Sequence, residues 1–385
     1  PCERISDMTA AYQACSRVIA DPAATPTERG RAYAQRANLN LAGRRYEEAL
    51  ADVDQAVRLL PKDARPWTSR GVIHFVTGDP AAAVEDYSRA AKLNPREPVI
   101  FSNRATAYAA LGRNTEALAD ADRAIALDTG QADYHVQRGR ALEALKRCPE
   151  ALPSLSRALQ LDPRNLAALL TRGNCRHVVR DLDGALADYT AALAVDKRLK
   201  SAYVGRANIY YERDQYEAAL QNLDTAITLN PQDAVLYLNR GTLKAQMKRY
   251  DPAIEDFSIA LGFDPRLTQA LGYRAKAEVD GGHYGEAIQD YDAILADDPK
   301  RAEAHSGRGK ALMLSGRHKE ALAAQDQALT LDAGFGAALS LKARSEIALG
   351  ELDAAVRDAD KAGELDRKST RLNSSHTDIS RMPSS

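Results

Sequence analysis

The sequence predicts an all-α solenoid of about ten 34-residue helix-turn-helix units, and three observations carry that prediction. Alanine returns at 49, 83, 117, 151, 185, 219, 253, 287, 321 and 355, a spacing of 34 that never slips. Counting Gly30 as position 1 makes these alanines position 20. Position 8 is then always Ala or Gly, from Ala37 to Ala343, and position 27 is Ala in nine units, with Ile294 the exception. Proline stands at position 32 in six units, at 61, 95, 163, 231, 265 and 299. Ten units therefore run without a gap from Gly30 to about Asp366.

Composition agrees with closely packed helices. The 385 residues are 45% hydrophobic but only 6% aromatic, and Ala recurs throughout. Lys and Arg number 52 against 53 Asp and Glu. That balance speaks against a nucleic-acid binder, which needs a basic excess. No run of 18 apolar residues is present, so membrane insertion is not expected.

The elements follow in chain order. In residues 1–29, Ala11, Cys15 and Val18 mimic positions 20, 24 and 27, so a lone second helix is expected to cap the stack. Asp21 to Arg29, with Pro22 and Pro26, reads as its linker. Each unit of 30–366 then reads as two helices. Trp67, Gly71 and His74 share one helical face; after Gly78-Asp79, Ala83, Tyr87 and Ala90 share another. Asn94-Pro95 stops the second helix, because proline cannot continue it and disfavours helical geometry just before itself.

Position 7 is basic in all ten units, from Arg36 to Lys342, and position 23 is Asp in seven: 52, 86, 120, 188, 256, 290 and 358. Two readings stand side by side. The Arg row is a stripe for a polyanion, or each Arg pairs with an Asp across the helix interface and forms a ladder. The in-phase Asp row and the near-zero net charge favour the ladder.

The pattern W-x2-L-G-x2-Y, A-x3-F, A, P is met by Trp67, Gly71, Ala83, Tyr87, Ala90 and Pro95, and again by Tyr203, Ala207, Tyr210, Ala219, Ala226 and Pro231. On these residues the chain resembles the tetratricopeptide repeat family. The resemblance implies a right-handed superhelix whose first helices line a groove with positions 2, 5, 9, 12 and 13. It departs from the family at position 7, which is usually Leu. In the implied groove the early units are partly apolar, with Val72, Phe75, Val76, Val99 and Val136, and Arg140 follows at position 9. The middle offers Asn174, Asn208 and Tyr211, where an amide supplies both donor and acceptor to an extended backbone. The last units present Lys276, Lys310 and Arg344, either as a basic row for an acidic partner or as a solvated face paired with Asp280 or Glu303.

Two specialised functions of the family fail at the residue level. The five-residue carboxylate clamp of chaperone-binding members finds Asn103, but Thr68, Val72, Asp133 and Gln137 surround it; around Asn239 only Asn208 matches. The Asn ladder of the N-acetylglucosamine transferase is met only at 103 and 239.

Chemistry-bearing motifs are missing. There is no GxGxxG after a strand, Walker loop, HExxH or GxSxG, and the histidines are scattered among units, three of them at packing positions 4 or 11. Cys175-Arg176-His177 lacks the spacing of a zinc site. Neither enzyme activity nor a cofactor nor a metal is expected within these units.

The ends carry their own signals. Cys2 and Cys15 form a short disulfide or stand as two incidental thiols; the layout before the repeats resembles exported repeat proteins of alpha-proteobacteria, which implies the disulfide and an oxidising compartment. Arg367 to Ser385 abandons the period and resembles translated adapter or vector read-through, so 367–385 is expected to be a non-native, disordered tail. The expected function is a non-catalytic scaffold that holds an extended peptide or partner domain, bacterial and periplasmic or secreted. The alternatives are the repeat region of a larger enzyme or sensor, or a cytosolic co-chaperone.

Overall fold

The computed structural model describes the backbone of residues 7–379 and the side chains of 7–367. Every described element is an α-helix. The chain divides into two compact units, one ending at Arg206 and one beginning at Ala207. In the first, α1 (Met8–Ala20) precedes the pairs α2 (Pro26–Ala42) and α3 (Tyr46–Leu59), α4 (Ala64–Val76) and α5 (Pro80–Leu93), α6 (Pro98–Ala110) and α7 (Asn114–Leu127), α8 (Ala132–Ala144) and α9 (Cys148–Leu161), and α10 (Leu166–Val178) and α11 (Leu182–Val195). The division falls within α12 (Lys200–Glu212). The second unit continues with α13 (Tyr216–Leu229), α14 (Ala234–Gln246) and α15 (Tyr250–Phe263), α16 (Thr268–Gly281) and α17 (Tyr284–Asp297), α18 (Ala302–Leu314) and α19 (His318–Leu331), and α20 (Gly336–Leu349) and α21 (Leu352–Ile379).

Two boundaries differ from the sequence reading. Helix α2 begins at Pro26, not Gly30, because Thr25 and Glu28 form a reciprocal capping box and Pro26 fits the first turn. Backbone helix also continues past Asp366 to Ile379, where a disordered tail is expected. The lone helix before the repeats is present as α1, with Ala11 and Cys15 buried. Cys15 is disulfide-bonded; Cys2, and with it the expected pairing, lies outside the described residues.

Local chemistry sets the period. Asp79 caps α5 through Ala82 N at 2.9 Å with Pro80 next to it. The turn inside each unit is left-handed at position 15 ten times over: Gly at 78, 112, 282, 316 and 350, but Arg44, Lys146, Arg180, Asp214 and Lys248 elsewhere. This conformation lets the following N–H reach back to position 11, as Asp79 N does to His74 O at 2.8 Å.

Small residues govern packing as expected, and they do so in matched pairs. Position 24 carries Tyr87, Leu155, Tyr189 and Phe257 where position 8 is Gly71, Gly139, Gly173 and Gly241. A Cβ on Gly173 would lie 2.8 Å from the Tyr189 ring, and on Gly71 2.6 Å from that of Tyr87. The ring occupies the volume that the missing side chain leaves.

The position 7 cations form a ladder. Arg36–Asp52, Arg70–Asp86, Arg104–Asp120, Arg172–Asp188, Arg240–Asp256 and Arg274–Asp290 pair at 2.6–2.7 Å, and Lys342–Asp358 at 3.2 Å. Cations of this row also reach position 25 of the preceding repeat: Arg70 to Asp54, Arg104 to Ser88, Arg138 to Asp122, Arg240 to Asp224 and Arg308 to Asp292. One guanidinium thus staples three helices. Hydrogen bonding to Asp86 and Asp256 drives the Arg70 and Arg240 pKa further upward against desolvation. The row is internal wiring and not a polyanion stripe.

Candidate binding groove

The faces that carry positions 2, 5, 6 and 9 of the first helices hold the candidate site. In the first unit, Val72 and Phe75 are half-buried against the core of Ala83, Tyr87, Ile100 and Phe101, whereas Val76 and Val99 are exposed. Val136, read from sequence as groove surface, is instead buried, as position 5 also is at Ser102, Leu238 and Ser306, because this position borders the packed side of the first helix. Polar groups on this face are tied together: Ser102 donates to Gln137 at 2.9 Å, and Gln137 donates to Thr106 at 3.1 Å. Arg140 is exposed, with no ion-pair partner among the described residues. Asn174 spends both ends of its amide within the fold. Its Nδ2 donates to Glu143 and its Oδ1 accepts from the Tyr189 hydroxyl, each at 2.8 Å.

The second unit carries two adjoining cavities on this face. Asn208, Tyr211, Val235, Asn239 and Thr242 border a cavity of about 350 Å³. A second cavity of about 590 Å³ lies among α16, α18 and α20, and the two share Gln269 and Tyr273. Asn208 is exposed and has no hydrogen-bond partner among the described residues. The Tyr211 ring lies against that of Tyr216 in a tilted arrangement, centroids 5.8 Å apart. Lys276 and Lys310 both line the larger cavity, but they differ: Lys310 is paired with Asp280 at 2.8 Å, and Lys276 has no ion-pair partner among the described residues. Arg344 is exposed and likewise unpaired among them.

His135 and His305 bond carbonyls six residues back, at 3.2 and 3.0 Å, as Trp67 and Tyr237 do from the same position 4. His74 lies 3.2 Å from Asp86 within the ladder. Among the described residues, no group of three His, Cys, Asp or Glu is placed to hold a metal ion, and no helix is long and apolar enough to cross a membrane. Cys148 and Cys175 are buried free thiols in contact with each other.

Models of the tetratricopeptide repeat match residues 34–98, 74–134, 102–165, 136–203 and 274–334, and a second TPR repeat model matches 207–248. The chain belongs to the tetratricopeptide repeat family. Its place there is that of a scaffold for protein interaction. Among solved structures, it is similar to a tetratricopeptide repeat protein from Parabacteroides merdae ATCC 43184, at 23% identity over 61% of this chain and 93% of that one, TM-score 0.49. It is also similar to YrrB, a TPR protein with an unusual peptide-binding site, at 24% identity over 48% and 94%, TM-score 0.42. The APC/C hetero-tetramer Cut9–Hcn1 aligns at 12% identity over 88% and 81%, TM-score 0.49. No curated protein matches the chain.

Three features of these tetratricopeptide repeats were not legible in the sequence. Position 25 is one, although Asp, Ser or Thr stands there in every unit from Asp54 to Asp360. Tyr273 and Tyr291 in the larger cavity are among them, as are Gly272, which leaves open floor, and Gly307, whose place the end of the Tyr291 ring fills. A glycine at positions 5 or 6, against bulkier residues in most units, was the available signal.

Proposed function

We propose that this protein holds an extended segment of a partner along the first helices of its second unit. One observation carries the reading. Two adjoining cavities share Gln269 and Tyr273, so a segment can run from Asn208 and Tyr211 to Lys276 without leaving the groove. Along that path stand an amide free to bond a backbone and a cation free to meet an acidic residue. Lys310 adds less, since Asp280 already neutralises it.

The test is site-specific photo-crosslinking in the native host. A photoreactive residue at Tyr211 or Lys276 should capture one partner, and the same residue at the outward Lys319 should not. Lys276→Glu with Arg344→Glu should then weaken the captured complex by about tenfold and flatten its salt dependence. Equal capture from both faces, or unchanged affinity, rules the groove out.

The disulfide-bonded Cys15 supports an oxidising compartment, bacterial periplasm or the exterior, over a cytosolic co-chaperone. Non-reducing peptide mapping of the native protein should recover Cys15 in a crosslinked peptide; a free Cys15 thiol would favour the cytosol.

A further inference from the structure

Repeat five and the repeat that begins at Thr268 place different groups at the same three positions. In the former, Tyr189 donates to Asn174, and Asn174 donates to Glu143 of the preceding repeat, a closed relay in which every donor has an acceptor. In the latter, the corresponding residues are Tyr291, Lys276 and Ala245. Two donors face no acceptor of the relay. Neither the Tyr291 hydroxyl nor Lys276 has a hydrogen-bond partner among the described residues. Both line the 590 Å³ cavity.

Two glycines, Gly272 and Gly307, line the cavity. A Cβ added at Gly272 meets nothing within 4 Å, so that position is open floor. At Gly307 a Cβ would collide with the end of the Tyr291 ring, so this glycine lets the phenol reach the cavity. Val279, Ile294 and Phe335 supply apolar wall, and Arg301 adds an unpaired cation. Glu303 shares the cavity lining with the cations Lys276 and Arg301, Asp280 is bound by Lys310, and Asp280, Glu278 and Asp290 all act electrostatically on the Tyr291 phenol.

We infer that this cavity is a recognition pocket for an acidic residue next to a bulky apolar one, within an extended peptide. Lys276 and the Tyr291 hydroxyl take the carboxylate, and the apolar side chain lies over Gly272 against Val279, Ile294 and Phe335. This rests on the groove reading above and deepens it. The carboxylate comes from an Asp or Glu side chain and not from a chain terminus, because the pocket continues through Gln269 and Tyr273 into the neighbouring cavity and a bound segment must pass on.

A random dodecapeptide phage library panned on the full chain tests it. Enriched peptides should share Asp or Glu beside Phe, Leu, Ile or Trp. Binding of the best synthetic peptide should fall at least fivefold for Tyr291→Phe, which removes only the hydroxyl, and at least tenfold for Gly272→Leu, which fills open floor. Lys276→Asn, which supplies the acceptor found in repeat five, should weaken it as well, and Asp→Asn or Glu→Gln in the peptide should match the loss. Thermal unfolding of each variant checks that the fold is kept. Peptides that bind but ignore Tyr291→Phe and Gly272→Leu overturn the pocket and leave the groove standing. Enrichment of nothing overturns both.

Discussion

Asp188 shows how much one side chain carries. It is almost fully buried and accepts from Arg172 at 2.6 Å and Arg176 at 2.9 Å. Removing a buried partner leaves the cations without compensation, so Asp188→Ala should cost about 3 kcal/mol. Asp122 meets Arg138 at 2.7 Å but is half exposed, and Asp122→Ala should cost under about 1 kcal/mol. Chemical denaturation with amide exchange on α10 and α11 separates the two; equal losses would deny that burial decides. The glycine and ring pairing gives a second residue-scale expectation. Gly173→Ala should destabilise by about 1–3 kcal/mol, since the Tyr189 ring is held between Gly173 and Gly205 and has nowhere to move. The Arg and Asp rows were legible because the period repeats them in phase. Position 25 was not, because its partner sits in the next repeat and only inter-repeat packing brings the two together.

At the scale of the element, the turn and the buried face of the first helix behave differently from unit to unit. Lys146 holds φ of 61° where five units use glycine. A left-handed non-glycine residue costs roughly 1 kcal/mol, so Lys146→Gly should stabilise α8 and α9 by about that amount in thermal melts. Position 11 supplies a donor to the Asp of position 23 in several repeats: Asn40 to Asp52, Arg176 to Asp188, Lys244 to Asp256. In α16 that position is Glu278, which faces Asp290 with Arg274 3.7 Å away and Glu286 also near, and one of its carboxyl oxygens is buried without a partner. Burial first, then Asp290, pushes its pKa up to about 7. The folded carboxyl thus holds its proton to a higher pH than the unfolded one does. The contribution to stability is full below about pH 4.5 and is lost as pH rises through about 7. Glu278→Gln should therefore stabilise the second unit by about 1–3 kcal/mol at pH 8 and change little at pH 4. Equal melting shifts at both pH values would refute it.

For the whole molecule, the array makes stability a sum of repeats and their nearest-neighbour interfaces. Variants in the first unit, such as Asp188→Ala, should leave amide exchange in α18 and α19 unchanged. A global loss of protection would show one cooperative block instead. The period by itself determined the all-α repeat class, the helix pairs, the small-residue packing rule and the partners in the ladder. Those follow because residues 34 apart meet the same surroundings. The tertiary structure decided what identical positions do differently. Asn174 is consumed while Asn208 is free, Lys310 is neutralised while Lys276 is not, and Gly272 leaves open floor in a cavity to which Gly307 admits the Tyr291 phenol. The physical reason is that a donor's availability and a cavity's volume depend on side chains from the adjoining repeat, which sequence spacing places near but does not orient.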